Sequence, residues 1–181
     1  MKKITILALV AITQVTIQCN TAPSSDFLIT TTSFGKLTKE HTANDLKTIF
    51  ANDSLVTGND LQFNARQQKQ YIYEKGGKPL FSVSISKDTL INNIQVLDPR
   101  YTTASGIGLG STFKDIKDNY TIGKVITSMN NVVLFIKDSG IYFTIDKKEL
   151  PANLRYDITA KIEAIQIPDA AKIKYMMIDW D

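Results

Sequence analysis

The chain has 181 residues, 43% of them hydrophobic and 22% charged, with 21 basic and 18 acidic residues. Lys2 and Lys3 sit at the extreme N-terminus, and without them the charge is close to balanced, with no basic stripe; nucleic-acid binding loses its electrostatic basis. One cysteine and one histidine exclude an internal disulfide and a Cys-based metal site, and leave little material for a catalytic triad.

Met1-Lys2-Lys3 is a basic start, followed by a mostly apolar run from Ile4 to Ile17. This pattern predicts a signal peptide over residues 1–18, too short for a membrane span of about 20 residues. Cys19 follows directly. A lone Cys at the end of such a run resembles the lipidation site of bacterial lipoproteins, although Gln18 stands where that pattern wants a small residue. The resemblance implies an exported, periplasmic protein held to a membrane through Cys19. An ordinary cleaved signal ending near Ala22 is the alternative. Residues 19–26, with Pro23 and two serines, read as a polar tether.

The remaining residues divide into two units, 27–97 and 98–181. Thr42 to Phe50 and Thr112 to Tyr120 share the pattern T-x-x-D-[LI]-K-x-x-[FY] at an offset of 70. The same offset places Leu55-Val56 on Val125-Ile126, and Tyr71-Ile72-Tyr73 on Ile141-Tyr142-Phe143. At an offset of 71, Ile91 to Val96 matches Ile162 to Ile167. Their colinear order predicts a duplication.

In the first unit, Phe27 to Thr32 is β-rich and Gly35 marks a turn. Thr42 caps a helix reaching about Ala51, with Leu46, Ile49 and Phe50 inward. Strands follow at Tyr71–Glu74, Leu80–Ser86 and Leu90–Leu97, and Asp98-Pro99 breaks the last. In the second unit, Gly106, Gly108 and Gly110 make a shaped turn before a helix with Phe113, Ile116 and Tyr120 on one side. This glycine run lacks the Lys-Ser/Thr ending of a phosphate loop. Apolar runs at Val125-Ile126, Val132–Ile136 and Ile141–Ile145 predict a meander. Leu150 to Asp157 reads as a loop, Thr159–Ile167 as a strand, and Lys172 to Trp180 as a closing strand.

The fold class is therefore α+β: two tandem units, each a short helix packed on an antiparallel β-meander. The sequence leaves open whether the meanders share one sheet. In Phe81-Ser82-Val83-Ser84-Ile85-Ser86 the apolar and serine positions alternate strictly, so one sheet face is covered and the other is open. Alternation assigns Ser82, Ser84, Ser86, Tyr142 and Thr144 to the open face as candidate binding residues, and repeat logic sets Ile72 with Tyr142 there. It assigns Tyr71, Tyr73 and Phe143 to the core.

The plan of a Gly-rich turn, short helix and meander, repeated on an exported chain, resembles the β-lactamase inhibitor protein fold and the small outer-membrane lipoproteins of the SmpA/OmlA type. The residues that carry it run from Gly108 to Tyr120, echoed at Thr42 to Phe50. The resemblance implies a non-catalytic scaffold whose sheet or loops bind another protein. This chain departs from it by lacking the inhibitors' disulfides and the glycines before its first helix.

His41 reads as a solvated loop residue. Asp53, Asn59 and Asp60 could contact calcium but lack EF-hand spacing. Asp45 and Asp115 read as helix-start carboxylates rather than as catalysts. No catalytic residue, metal ligand or cofactor is assigned. The expected function is protein–protein contact in the bacterial envelope, with an unidentified envelope protein as partner. The alternatives are a carboxylate-dependent envelope hydrolase, a small-ligand-binding protein, or a purely structural lipoprotein.

Overall fold

A computed structural model describes residues 25–58, 68–157 and 159–180. Cys19, the signal segment and most of the tether lie outside these residues, as do Asn59 and Asp60. The fold is mixed α+β and mostly sheet.

The first half begins with three two-residue strands, β1 (Leu28–Ile29), β2 (Ser33–Phe34) and β3 (Leu37–Thr38). A single helical turn follows, α1 (Leu46–Ile49). Then come β4 (Ser54–Gly58), β5 (Gln68–Tyr73), β6 (Pro79–Ile85) and β7 (Ile91–Val96). The second half has β8 (Thr102–Thr103), α2 (Phe113–Asn119), β9 (Ile122–Thr127), β10 (Asn131–Ile136) and β11 (Ile141–Asp146). It ends with α3 (Ala152–Arg155) and β12 (Ile173–Asp179).

Both meanders belong to one eight-stranded sheet, in the order β4-β5-β6-β7-β12-β11-β10-β9. The last strand in the sequence, β12, is therefore central and not at an edge. A small second sheet, β3-β2-β1-β8, closes on the parallel pair β1–β8.

The small sheet and the helices cover one face of the large sheet. Phe34 of β2 and Phe50 after α1 both meet Phe81 of β6 edge-on, with ring centroids 5.0 and 5.2 Å apart. Tyr101 stacks on Phe34 at 4.3 Å. Edge and offset ring contacts of this kind add to the area that the rings bury. In the second half, Phe113 and Ile116 of α2 enter the same core as Leu134, Phe143 and Met176.

The two helix starts share their local chemistry. Thr42 donates its backbone N–H and its hydroxyl to Asp45 Oδ2, both at 2.8 Å. Thr112 does the same to Asp115 Oδ2 at 2.7 and 2.8 Å. These bonds hold both carboxyls below the usual carboxylate range, the backbone bond contributing most. The following N–H bonds to matching places, Ala43 to the Thr89 carbonyl and Phe113 to the Ala171 carbonyl, each at 2.8 Å. Isolated bridges then join Thr42 to Leu90 and Thr112 to Lys172. A register shift falls between Ser84 and Ile85 in one meander, and between Thr144 and Ile145 in the other.

Several expectations are corrected. The segment from Thr159 to Ile167 is not a strand; it carries a 3-10 turn at Ala164–Gln166, and Ile162 donates its N–H to Thr127 Oγ1 at 3.0 Å. It is β12, not this segment, that pairs beside β7, and its burial pattern resembles that of β7. Leu150 to Asp157 contains a helical turn. The helix α2 stops at Asn119, before Tyr120, and Gly123 lies inside β9. Tyr71 to Tyr73 lie in the second strand of their meander, and Ile141 to Phe143 in the third of theirs, so that alignment joins different strands.

A charged cluster locks the link between the halves. The Asp98 side chain is fully buried and receives Arg100 Nη2 at 2.9 Å and Lys78 Nζ at 3.0 Å. Arg100 also grips Glu74 with two bonds of 3.0 Å, and its guanidinium lies over the Phe27 ring at 4.4 Å. Burial alone would raise the Asp98 carboxyl, yet the bonds from Arg100 and Lys78 hold it at about 2.

Candidate interaction face

The face of the large sheet turned away from the helices has no element of the fold packed on it among the described residues. Alternation along each strand decides which side chains stand there. Val56, Tyr71, Ser82, Gln95, Met177, Tyr142, Phe135 and Lys124 are direct cross-strand neighbours in one row across all eight strands. Beside it run Lys69, Ser84, Asn93 and Asp179. On the second half, Tyr175, Thr144, Val133 and Ile126 form a third row.

Four aromatic side chains, Tyr71, Phe135, Tyr142 and Tyr175, stand in these rows. Phe135 and Tyr142 stack with centroids 5.3 Å apart and an interplanar angle of 19°. Tyr71 and Tyr73 lie 6.5 Å apart, and Lys69 Nζ sits 5.3 Å from the Tyr71 ring centre. Hydrogen bonds fix the centre of the face: Asn93 Nδ2 donates to the Tyr142 hydroxyl at 2.7 Å, and Lys69 Nζ to Gln95 Oε1 at 3.1 Å. Burial pushes the Tyr142 hydroxyl up, and the charge of Asp179 adds to this. Lys174 pairs with Asp146 at 2.9 Å, holding that carboxyl low, and also lies over Tyr175.

The sequence-derived candidates divide. Tyr142 and Ser84 are half-buried on this face. Ser82 and Thr144 point to it but are buried, at 1% and 5% exposure, because their larger neighbours close over them. They form its floor rather than its contact surface. Ser86 lies beyond the end of β6, in a turn where its N–H donates to the Leu90 carbonyl. Ile72 is wrong for this face: it is opposite Phe81, fully buried in the core. Tyr71 and Tyr73, expected in the core, stand on the open face instead. The cause is parity. A one-residue error in strand register exchanges every inward and outward position.

Phe135, Met177 and Tyr175 were not singled out from the sequence. The alternation in Val132-Val133-Leu134-Phe135-Ile136 is masked because both faces carry apolar residues there. At one end of the face, Phe135 and Tyr142 join Asp138, Asp179, Lys39 and Thr31 around an open cleft of about 390 Å³. Gly140 makes this corner possible, since a Cβ there would run into the Asp179 carbonyl. The Nδ1 of His41 accepts the Thr38 N–H at 3.0 Å.

The chain matches no protein-family model and no curated protein. It is similar to the crystal structure of the uncharacterized protein yfeY from Escherichia coli, with a TM-score of 0.56 and 16% identity. The likeness covers 82% of this chain and 97% of that one. At this identity it carries the fold and nothing about activity.

Proposed function

We propose that this is an exported, lipid-anchored, non-catalytic binding protein of the bacterial envelope, which holds another protein against the open face of its large sheet. One observation carries the reading: Met177, Tyr142 and Phe135 stand side by side on this face, with Val56, Ile126 and Tyr175 exposed on the same face. Tyrosine, phenylalanine and methionine are the residues that protein interfaces favour, because they offer large contact area at little cost in conformational freedom. The basic start, apolar run and Cys19 support export and anchoring.

We also read the chain as two tandem copies of one helix-on-meander unit. The paired helix starts, bridges and register shifts support this. They also replace the single offset of 70: the offset is 70 at the helix starts and 82 at the last strands, because the second copy carries α3 and its flanking turns before β12.

The test is capture of the native partner by the protein and by two variants. Tyr142→Arg and Phe135→Arg should each abolish capture with the thermal transition retained. Capture that survives both changes removes the face from the proposal. A second reading, small-ligand binding, rests on the cleft beside Phe135 and Tyr142; a thermal shift with sugars or short peptides, lost in Asp138→Ala, would favour it.

A further inference from the structure

The eight-stranded sheet has two outer strands, and they are treated differently. On β9, Gly123 is an extra residue at a register shift, Lys124 adds a charge, and the Ile162 N–H bonds to Thr127. A bulge, a lysine and a covering segment are the devices by which sheets prevent edge-to-edge pairing. Among the described residues, β4 shows none of them. Its sequence, Ser-Leu-Val-Thr-Gly, has no charge and no proline, and its five pairs with β5 run without a shift. Among the described residues, no hydrogen bond reaches β4 from outside the sheet. The edge strands of the small sheet are only two residues long. β4 is thus the one long bare edge among the described residues.

We propose that β4 pairs antiparallel with β4 of a second copy of this chain, joining the two large sheets into one. Symmetry fixes the register. A two-fold axis perpendicular to the sheet keeps covered face beside covered face, so opposed residues must share parity. Full overlap of five residues then centres the axis on Val56. Val56 lies opposite its own copy, Leu55 opposite Thr57, and Ser54 opposite Gly58. Self-pairing of this kind fails wherever a charge must face itself or a like neighbour, and β4 presents none. Val56 is 49% exposed on the open face, so its contact with its copy buries apolar surface that the single chain leaves wet. The aromatic rows of the two copies then continue across the join.

The test uses the full chain carrying Cys19→Ser, which removes the only native cysteine. Light scattering at high micromolar concentration should give twice the chain mass. Val56→Lys, which places like charges across the axis at an exposed position, should return the mass to one chain with the thermal transition unchanged. In the same background, Val56→Cys should form an intermolecular disulfide under mild oxidation, since directly opposed positions bring Cβ atoms to within about 4.5–5.5 Å. Lys124→Cys on the protected edge should not. A single-chain mass for the parent, or a Val56→Cys disulfide that forms no faster than that of Lys124→Cys, overturns the proposal. So does a dimer that Val56→Lys leaves intact. These results bear on the edge alone, because the open-face variants above are read by partner capture and not by mass.

Discussion

Gln95 lies directly opposite Met177 where the two meanders meet at the centre of the large sheet. Each is the fifth residue after a matching landmark, Leu90 for one and Lys172 for the other. In the tandem reading they are the same position in two copies, and an approximate two-fold axis passes through the pair. Moving outward, Ser82 corresponds to Tyr142, Tyr71 to Phe135, and Val56 to Lys124. In that reading, equivalent positions carry side chains of different size, so the face has a low half and a raised half.

That asymmetry makes the serines poor contact residues. The Ser82 hydroxyl is buried with no hydrogen-bond partner among the described residues. Removing an unsatisfied buried group relieves a desolvation cost. Ser82→Ala should therefore leave stability unchanged or raise it by up to about 1 kcal/mol, and should leave partner capture intact. Ile72→Ala, by contrast, opens a hole beneath Phe81 and should cost about 2–5 kcal/mol. Urea titration of the two variants measures both.

Much of this was legible in the sequence. The Thr-x-x-Asp helix starts, the two meanders, the alternation at Phe81 to Ile85 and the turn before α2 follow from local chemistry, and the fold contains them. The position of β12 was not legible, because nothing local tells a final strand whether it pairs at an edge or in the middle. In the tandem reading, the correspondence of strands is hidden by the extra residues between β11 and β12, which break any constant offset. The aromatic face was missed at Phe135 and Met177 because apolar residues occupy both sides of their strands.

The Asp98 cluster predicts an acid dependence. Its folded pKa, about 2, lies below the ordinary aspartate value of 3.8. The stabilisation is fully present above that ordinary value and is lost as pH falls through about 2. The difference corresponds to about 2 kcal/mol. Asp98→Asn should remove this part of the slope between pH 4 and pH 2. At neutral pH it should cost about 3–5 kcal/mol, since it leaves Arg100 and Lys78 without their buried partner. Unfolding followed at several pH values checks both statements, and an unchanged acid slope in the variant contradicts the assignment.

Glycine positions separate tight corners from open ones. At Gly140 a methyl group would meet the Asp179 carbonyl, whose own N–H is bonded to the Gly140 carbonyl at 2.8 Å. Gly140→Ala should cost about 1–3 kcal/mol, as crowding in a packed region does. Gly110 has open space around its Cβ direction. Gly110→Ala should stay within about 0.5 kcal/mol of the parent. Equal effects at both positions would contradict the packing described at the cleft.

The central claim is that the open face holds another protein, and site-specific photo-crosslinking in the native cell tests it most directly. A photoreactive phenylalanine analogue would replace Tyr142 on the open face or, as a control, Lys47 on the exposed side of α1. The account predicts one discrete adduct of constant mass from position 142 and none from position 47. An identical adduct from both positions, or none from position 142 while the protein is folded and in place, would contradict it.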